Sequence, residues 1–312
     1  MTCSRFGSFF LADPEAFPEA VEGEAWGDHQ RLLELPGGPF LITGLSASQI
    51  DLMDREYSSV TAVAPSSNDG LHKTAVLRAE PAFFREFDIE GWEYTLDLDP
   101  APDQVGMAAM QFAALVPWTS GVTAGLWTSI EDTRFQGVIE NYLRVMVAHR
   151  LLLRDGVLLH SAGTVVDGFA FLFIGASGAG KSTLARKALD AGAPVLSDDL
   201  NAVVGLSAEP AVAQLPFTGE LRDQATFDGA APLRGIFLLN KGDAVACEAL
   251  SRGEATAAIM ATAPFINHGV DNLDSLMATA AALTARIPVA RLTSANDSPF
   301  EEIRSAVLRF QE

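Results

Sequence analysis

Gly175-Ala176-Ser177-Gly178-Ala179-Gly180-Lys181-Ser182-Thr183 fills every fixed position of the pattern G-x-x-x-x-G-K-[ST]. Glycines let such a loop turn tightly and aim its backbone N–H groups inward. With the positive end of the following helix, those donors form a nest for phosphate oxygens. The Lys181 ammonium would reach the β- and γ-phosphates, and the Ser182 hydroxyl would ligate Mg²⁺. The flanks agree. Phe169 to Ile174 is a short, aromatic-rich apolar run and predicts a buried strand, Ser182 to Leu189 predicts a helix, and Gly192 stands where a helix C-terminus is capped.

Upstream, Val138, Tyr142, Val145 and His149 recur at helical spacing within a helix predicted over Phe135 to Leu153, which Asp155-Gly156 ends. Val157 to Val166 reads as a strand. Asp167-Gly168, flanked by apolar residues, is a two-residue hairpin signal. The strand entering the loop is therefore one arm of a hairpin. Downstream, Pro194 to Ser197 predicts a strand that delivers Asp198-Asp199. Gly235 to Leu239 and Val289 to Leu292 read as further strands. Ser251 to Met260, Asp274 to Arg286 and Pro299 to Gln311 read as helices, the second with a core stripe of Leu276, Ala280 and Leu283.

Residues 1–138 are less legible. Phe40 to Thr43, Trp92 to Leu98 and Ala124 to Thr128 suggest strands. Ala47 to Tyr57 suggests a helix started by a capping box of Ser46 and Gln49. The reading is an N-terminal α+β region over 1–138, for acceptor recognition or oligomer contact. An α/β catalytic domain follows over 139–312, its mixed sheet carrying the loop.

The chain has 312 residues, 48% of them hydrophobic, enough for a sizeable core. Its formal net charge of −19 excludes a nucleic-acid partner, which would need clustered Lys and Arg. The same charge repels a nucleotide at long range, so the phosphate site must be made locally positive by Lys181, backbone dipoles and Mg²⁺. Cys3 and Cys247 show no metal-ligand spacing, and Cys3 is too near a terminus to suggest a structural disulfide. No apolar run is long enough for a membrane span, and no signal-peptide pattern is present. The expectation is a cytoplasmic protein.

Asp198 and Asp199 are two carboxylates one helix beyond the loop. One suits Mg²⁺, directly or through water; the other suits the proton of an attacking hydroxyl. A helix cap or turn is the plainer use of Asp-Asp. Beside a phosphate loop the functional use is favoured. His160 falls in the hairpin strand next to this acidic pair. His29, His72, His149 and His268 show no ligand spacing. Arg222 and Arg234 could each stabilise transferred charge, although a surface position is the favoured reading for both.

Residues 141 to about 240 resemble the catalytic domain of the HPr kinase/phosphorylase superfamily, with its phosphoenolpyruvate carboxykinase-like nucleotide fold. The matching pieces are Leu159-His160-Ser161-Ala162-Gly163, the hairpin, Gly175 to Thr183, Leu196-Ser197-Asp198-Asp199, Pro216-Phe217-Thr218-Gly219-Glu220 and Pro232 to Leu239. The resemblance implies ATP-dependent phosphorylation of a hydroxyl, typically a serine. It implies that the loop (Gly175, Ala176, Ser177, Gly178, Ala179, Gly180, Lys181, Ser182, Thr183) binds ATP and that Ser182 and Asp199 hold Mg²⁺. By the same carry-over Asp198 is the base, with Lys181, Asp199 and His160 completing the catalytic set. Homo-oligomers are common in that superfamily.

Two departures narrow the expectation. Thr183 stands where HPr kinases proper carry Glu. The region of Phe265 to Gly269 and Asp271-Asn272-Leu273 lacks their Arg-Asn-rich signature. The chain looks closer to the HPr-kinase-related proteins found beside peptide-modification genes, whose acceptor would be a serine in a peptide or small protein. Two other readings stand beside it: a nucleotide-binding regulatory partner without phosphoryl transfer, and a small-molecule kinase of the gluconate type.

Overall fold

The computed structural model describes residues 6–17, 23–65, 70–87, 95–118, 121–217, 219–221, 227, 229–266 and 270–311. The chain is mixed α/β and divides into two compact units, Met1–Val145 and Met146–Glu312.

The first unit is built on one sheet of β1 (His29–Leu35), β2 (Gly38–Leu45), β3 (Thr61–Ala62), β4 (His72–Arg78), β5 (Asp97–Pro100), β6 (Gln104–Ala109), β7 (Phe112–Pro117) and β8 (Thr123–Thr128). Their order is β3-β1-β2-β4-β8-β7-β6-β5. The β2–β4 and β4–β8 pairs are parallel and the rest antiparallel. Helix α1 (Ala47–Glu56) opens with the anticipated capping box, Ser46 and Gln49 each satisfying the other's backbone N–H. Of the Trp92 to Leu98 reading, residues 92–94 lie outside the described residues, and the strand there is β5, shifted toward the C-terminus. Helix α2 (Phe135–Leu153) contains the division between the units.

The second unit contains β9 (Gly156–Val166), β10 (Phe169–Ile174), α3 (Lys181–Asp190), β11 (Val195–Ser197), β12 (Leu200–Val204), β13 (Ala211–Ala213), β14 (Ala230–Lys241), β15 (Ala246–Ala249), α4 (Arg252–Thr262), α5 (Val270–Thr284), β16 (Val289–Ser294) and α6 (Phe300–Phe310). β9 and β10 form the hairpin, and Asp167 and Gly168 both have positive φ (52° and 83°), the geometry of a tight turn that matches strand twist. β10, β14 and β16 are parallel neighbours. The long strands β9 and β14 each pair on two sides, so hydrogen bonding closes a ring from β10 through β9, β12, β13 and β14 back to β10.

Alternation along the strands decides the core. Phe171 and Phe173 share one face with Phe237, and the Phe173 and Phe237 rings stack with centroids 5.8 Å apart. Leu184, Ala185 and Ala188 of α3 and Phe300, Ile303 and Val307 of α6 close over that face. Leu172 and Ile174, pointing the other way, are also fully buried. The α5 stripe of Leu276, Ala280 and Leu283 is buried as anticipated, although the helix starts at Val270 and stops at Thr284.

Candidate functional site

The loop between β10 and α3 has the backbone its glycines require. Gly178 and Gly180 have φ of 74° and 105°, a region where side chains are strained. Gly180 is the N-cap of α3 and brings no side-chain cap, leaving the first N–H groups of the helix without a side-chain acceptor. The other end is closed by a Schellman motif: Ala193 N–H donates to Ala188 O and Gly192 N–H to Leu189 O (2.9 and 2.8 Å). Lys181 is buried. Its Nζ donates to Gly175 O (2.9 Å) and Ala176 O (3.2 Å), which holds the ammonium against the loop. Burial lowers its pKa, and the negative charge of Asp199 works in the opposite direction. Ala176, Ser177, Gly178 and Thr183 are exposed, while Ser182 is half-buried.

The acidic pair follows a short strand, as the sequence predicts: β11 stops at Ser197 and delivers Asp198-Asp199. That strand runs antiparallel to β9. Val195 and Ser197 pair with Thr164 and Gly163, and β12 resumes with Leu200 opposite His160. The register is unbroken across the two aspartates, which face Ala162 and Ser161; the register shift lies before them, between Val195 and Ser197. Ser161 N–H donates to Asp199 O (2.9 Å), and the Ser197 hydroxyl accepts from Asp199 N (3.1 Å) and Leu200 N (3.2 Å).

This register brings His160 to Asp199, with Nε2 3.4 Å from Oδ1. His160 is exposed and Asp199 half-buried. Asp198 is buried, and its Oδ1 accepts from Leu221 N–H (3.4 Å). Gly219 lies against the pair: a Cβ there would stand 2.8 Å from Asp198 Oδ1 and 2.9 Å from Asp199 Cβ. Sequence reasoning assigned Gly219 no role beyond the resemblance, since its approach to the aspartates depends on a contact about twenty residues away in the chain.

Arg234 lies elsewhere. Its guanidinium stacks on Phe169 (4.5 Å), at the start of β10, whereas the loop follows the end of that strand. The surface reading holds for it, and Arg222 lies outside the described residues.

Among the described residues no three His, Cys, Asp or Glu side chains gather as a metal cage. A serine hydroxyl with one or two carboxylates suits Mg²⁺, which keeps several waters and shares substrate phosphates, and does not suit zinc. Among the described residues no helix is long and apolar enough to cross a membrane.

An α/β unit with a glycine loop between a buried strand and a helix, and an acidic pair on the strand beside the hairpin, defines the class. Within it, the chain belongs to the family of the SynChlorMet cassette protein ScmC, whose model matches residues 128–308. Curated proteins give no match. Among solved structures, the Hpr(Ser) kinase/phosphatase from Coxiella burnetii aligns with 13% identity and a TM-score of 0.30, over 50% of this chain and 99% of that one.

Proposed function

We propose that this chain is a kinase that transfers the γ-phosphoryl group of a nucleoside triphosphate, with Mg²⁺, to a hydroxyl group, that of a serine in a peptide or small protein. The observation that carries the reading is the joint placement of Lys181 on the loop and of Asp198 and Asp199 after β11, with the Asp199 charge acting on Lys181, whose pKa burial lowers on balance.

The loop N–H groups and Lys181 would hold the β- and γ-phosphates in line for attack. Mg²⁺, held by Ser182 Oγ and Asp199, would neutralise charge on the phosphate oxygens. The acceptor oxygen bonds to the γ-phosphorus while the bond from that phosphorus to the bridging oxygen breaks. Nucleoside diphosphate leaves, and the hydroxyl proton passes to Asp198. The Leu221 N–H fixes one oxygen of Asp198, which orients the other. His160 keeps Asp199 in place.

A second reading has a specific observation behind it. An exposed His160 backed by Asp199 has the arrangement of a base oriented by a carboxylate. It would take the proton itself.

Transfer of phosphoryl mass from ATP or GTP to serine peptides, free serine and small proteins tests the proposal. Asp198→Asn should slow transfer by roughly 10²- to 10⁴-fold, the usual contribution of a general base, with nucleotide affinity nearly unchanged. His160→Gln should cost less than about tenfold on the same scale. The reverse ranking would move the proton to His160. Nucleotide binding with no transfer to any acceptor would leave a regulatory binder.

A further inference from the structure

The first unit contains a pocket of about 590 Å³, inside the roughly 300–1,000 Å³ of small-molecule sites. Phe84, Phe87 and Met110 give it apolar walls, and Arg85, Gln111 and Arg134 give it polar ones. An apolar hollow with a few fixed polar groups is the usual form of a ligand site. The phosphate loop belongs to the second unit and shares no residue with this pocket.

The walls are held by neighbouring segments. Ala12 N–H donates to Phe83 O (3.0 Å) and Arg85 N–H to Phe10 O (2.8 Å), and Phe84 is bridged to Leu11 between them. Phe87 packs its ring against Phe9 and Phe10, with centroids 5.2 and 5.8 Å away. A second wall is the two-residue turn of Met110 and Gln111 between β6 and β7. Gln111 has a φ of 67°, where turns ordinarily use glycine or asparagine. The Thr128 hydroxyl donates to Gln111 O (2.7 Å) and holds that turn. A long carboxamide is thus kept on the wall at a position whose backbone suits glycine.

The polar groups differ in what they leave for a ligand. Arg134 is engaged: its Nη2 and Nε donate to the Asp132 carboxylate (2.8 and 3.0 Å). Arg85 is anchored by one nitrogen, Nε donating to Leu11 O (3.0 Å). Its two terminal nitrogens have no partner among the described residues. Two parallel N–H groups of a guanidinium match the two oxygens of one carboxylate. Glu86 also lines the pocket, so a polyphosphate would meet repulsion there, while a single carboxylate suits the single free guanidinium edge. The Gln111 carboxamide both donates and accepts, which matches an amide group.

We propose that this pocket binds an apolar amino acid that carries a free carboxylate: the carboxylate on Arg85, the acylated nitrogen on Gln111, and the side chain against Phe84, Phe87 and Met110. An N-acylated amino acid and the C-terminal residue of a peptide present the same three groups.

Calorimetric titration of the full chain with N-acetylphenylalanine, its carboxamide, acetate and a short peptide ending in phenylalanine tests it. The acid should bind at least about tenfold more tightly than the carboxamide, the low end for hydrogen bonds to a charged group. Acetate, which has no apolar body, should bind more weakly than either. Arg85→Gln should remove the advantage of the acid and leave carboxamide affinity unchanged, a pattern that misfolding does not produce. Ala82→Trp, at an exposed residue of the pocket wall, should block acid and carboxamide alike with the unfolding midpoint unchanged. The peptide bound more tightly than the acid supports the pocket with a peptide terminus as its ligand; the acid bound more tightly supports it with a small molecule. Equal binding of acid and carboxamide, unchanged acid affinity in Arg85→Gln, binding that survives Ala82→Trp, or no binding of any probe would overturn the proposal.

Discussion

At Gly219 the site depends on the absence of a side chain. A methyl group there would stand within 3 Å of both aspartates, closer than carbon contacts permit, so Gly219→Ala must displace the pair. Turnover should fall by more than about tenfold, because small misplacements of catalytic groups are costly. Nucleotide affinity, set by the loop, should hold. Equal turnover in the variant would show that the pair can move without consequence. His149 makes a different kind of prediction. It is buried beside a hydrogen bond with the Phe265 backbone, and burial depresses its pKa to about 4 from 6.5. The folded protein therefore refuses a proton that the unfolded chain accepts. The resulting stability is present above about pH 6.5 and is lost as pH falls toward 4. By pH 5 the loss is roughly 2 kcal/mol. Urea unfolding at pH 7.5 and pH 5 measures it, and His149→Gln should flatten the difference. The same dependence in wild type and variant would contradict the account.

Among the elements, the loop, its strand and its helix were readable because their chemistry is local. The glycine pattern, the Asp167-Gly168 turn and the C-terminal Gly192 each act within a few residues. Capping boxes at Ser46 and Ser251 are local in the same way. The short strand that delivers the acidic pair was readable, but its continuation beyond the pair, β12, was not. Leu200–Val204 carries Asn201 at a buried position and shows no clean period. What defines it is pairing with β9, some forty residues away. The first unit suffers likewise. Residues 105–109 and 112–116 are buried on both faces, which erases the alternation that marks a strand. Asn201 ties β12 to β9: its Nδ2 donates to Ser161 O (2.7 Å) and Ser161 Oγ (3.0 Å). Asn201→Ala should destabilise the protein by about 1–3 kcal/mol, the cost of stranding buried polar groups. Denaturant unfolding would show it, and a change within experimental scatter would argue against the acidic pair's strand being anchored there.

On the scale of the whole molecule, a net charge of −19 opposes the approach of any nucleotide. The local positive field of the loop acts only at short range. Raising ionic strength from about 20 to about 200 mM screens the long-range repulsion and should increase the association rate of a Mg-nucleotide. Stopped-flow binding would read the slope, and a fall in rate with salt would mean that the surface facing the loop is net positive. The central claim is that residues 175–183 hold the phosphates of a nucleotide. Calorimetric titration of Mg-GTP and Mg-ATP into the wild-type chain and Lys181→Ala tests it most directly. The account predicts saturable binding at one site per chain in the wild type and its loss in the variant. No binding in the wild type, or equal binding in both proteins, would contradict it.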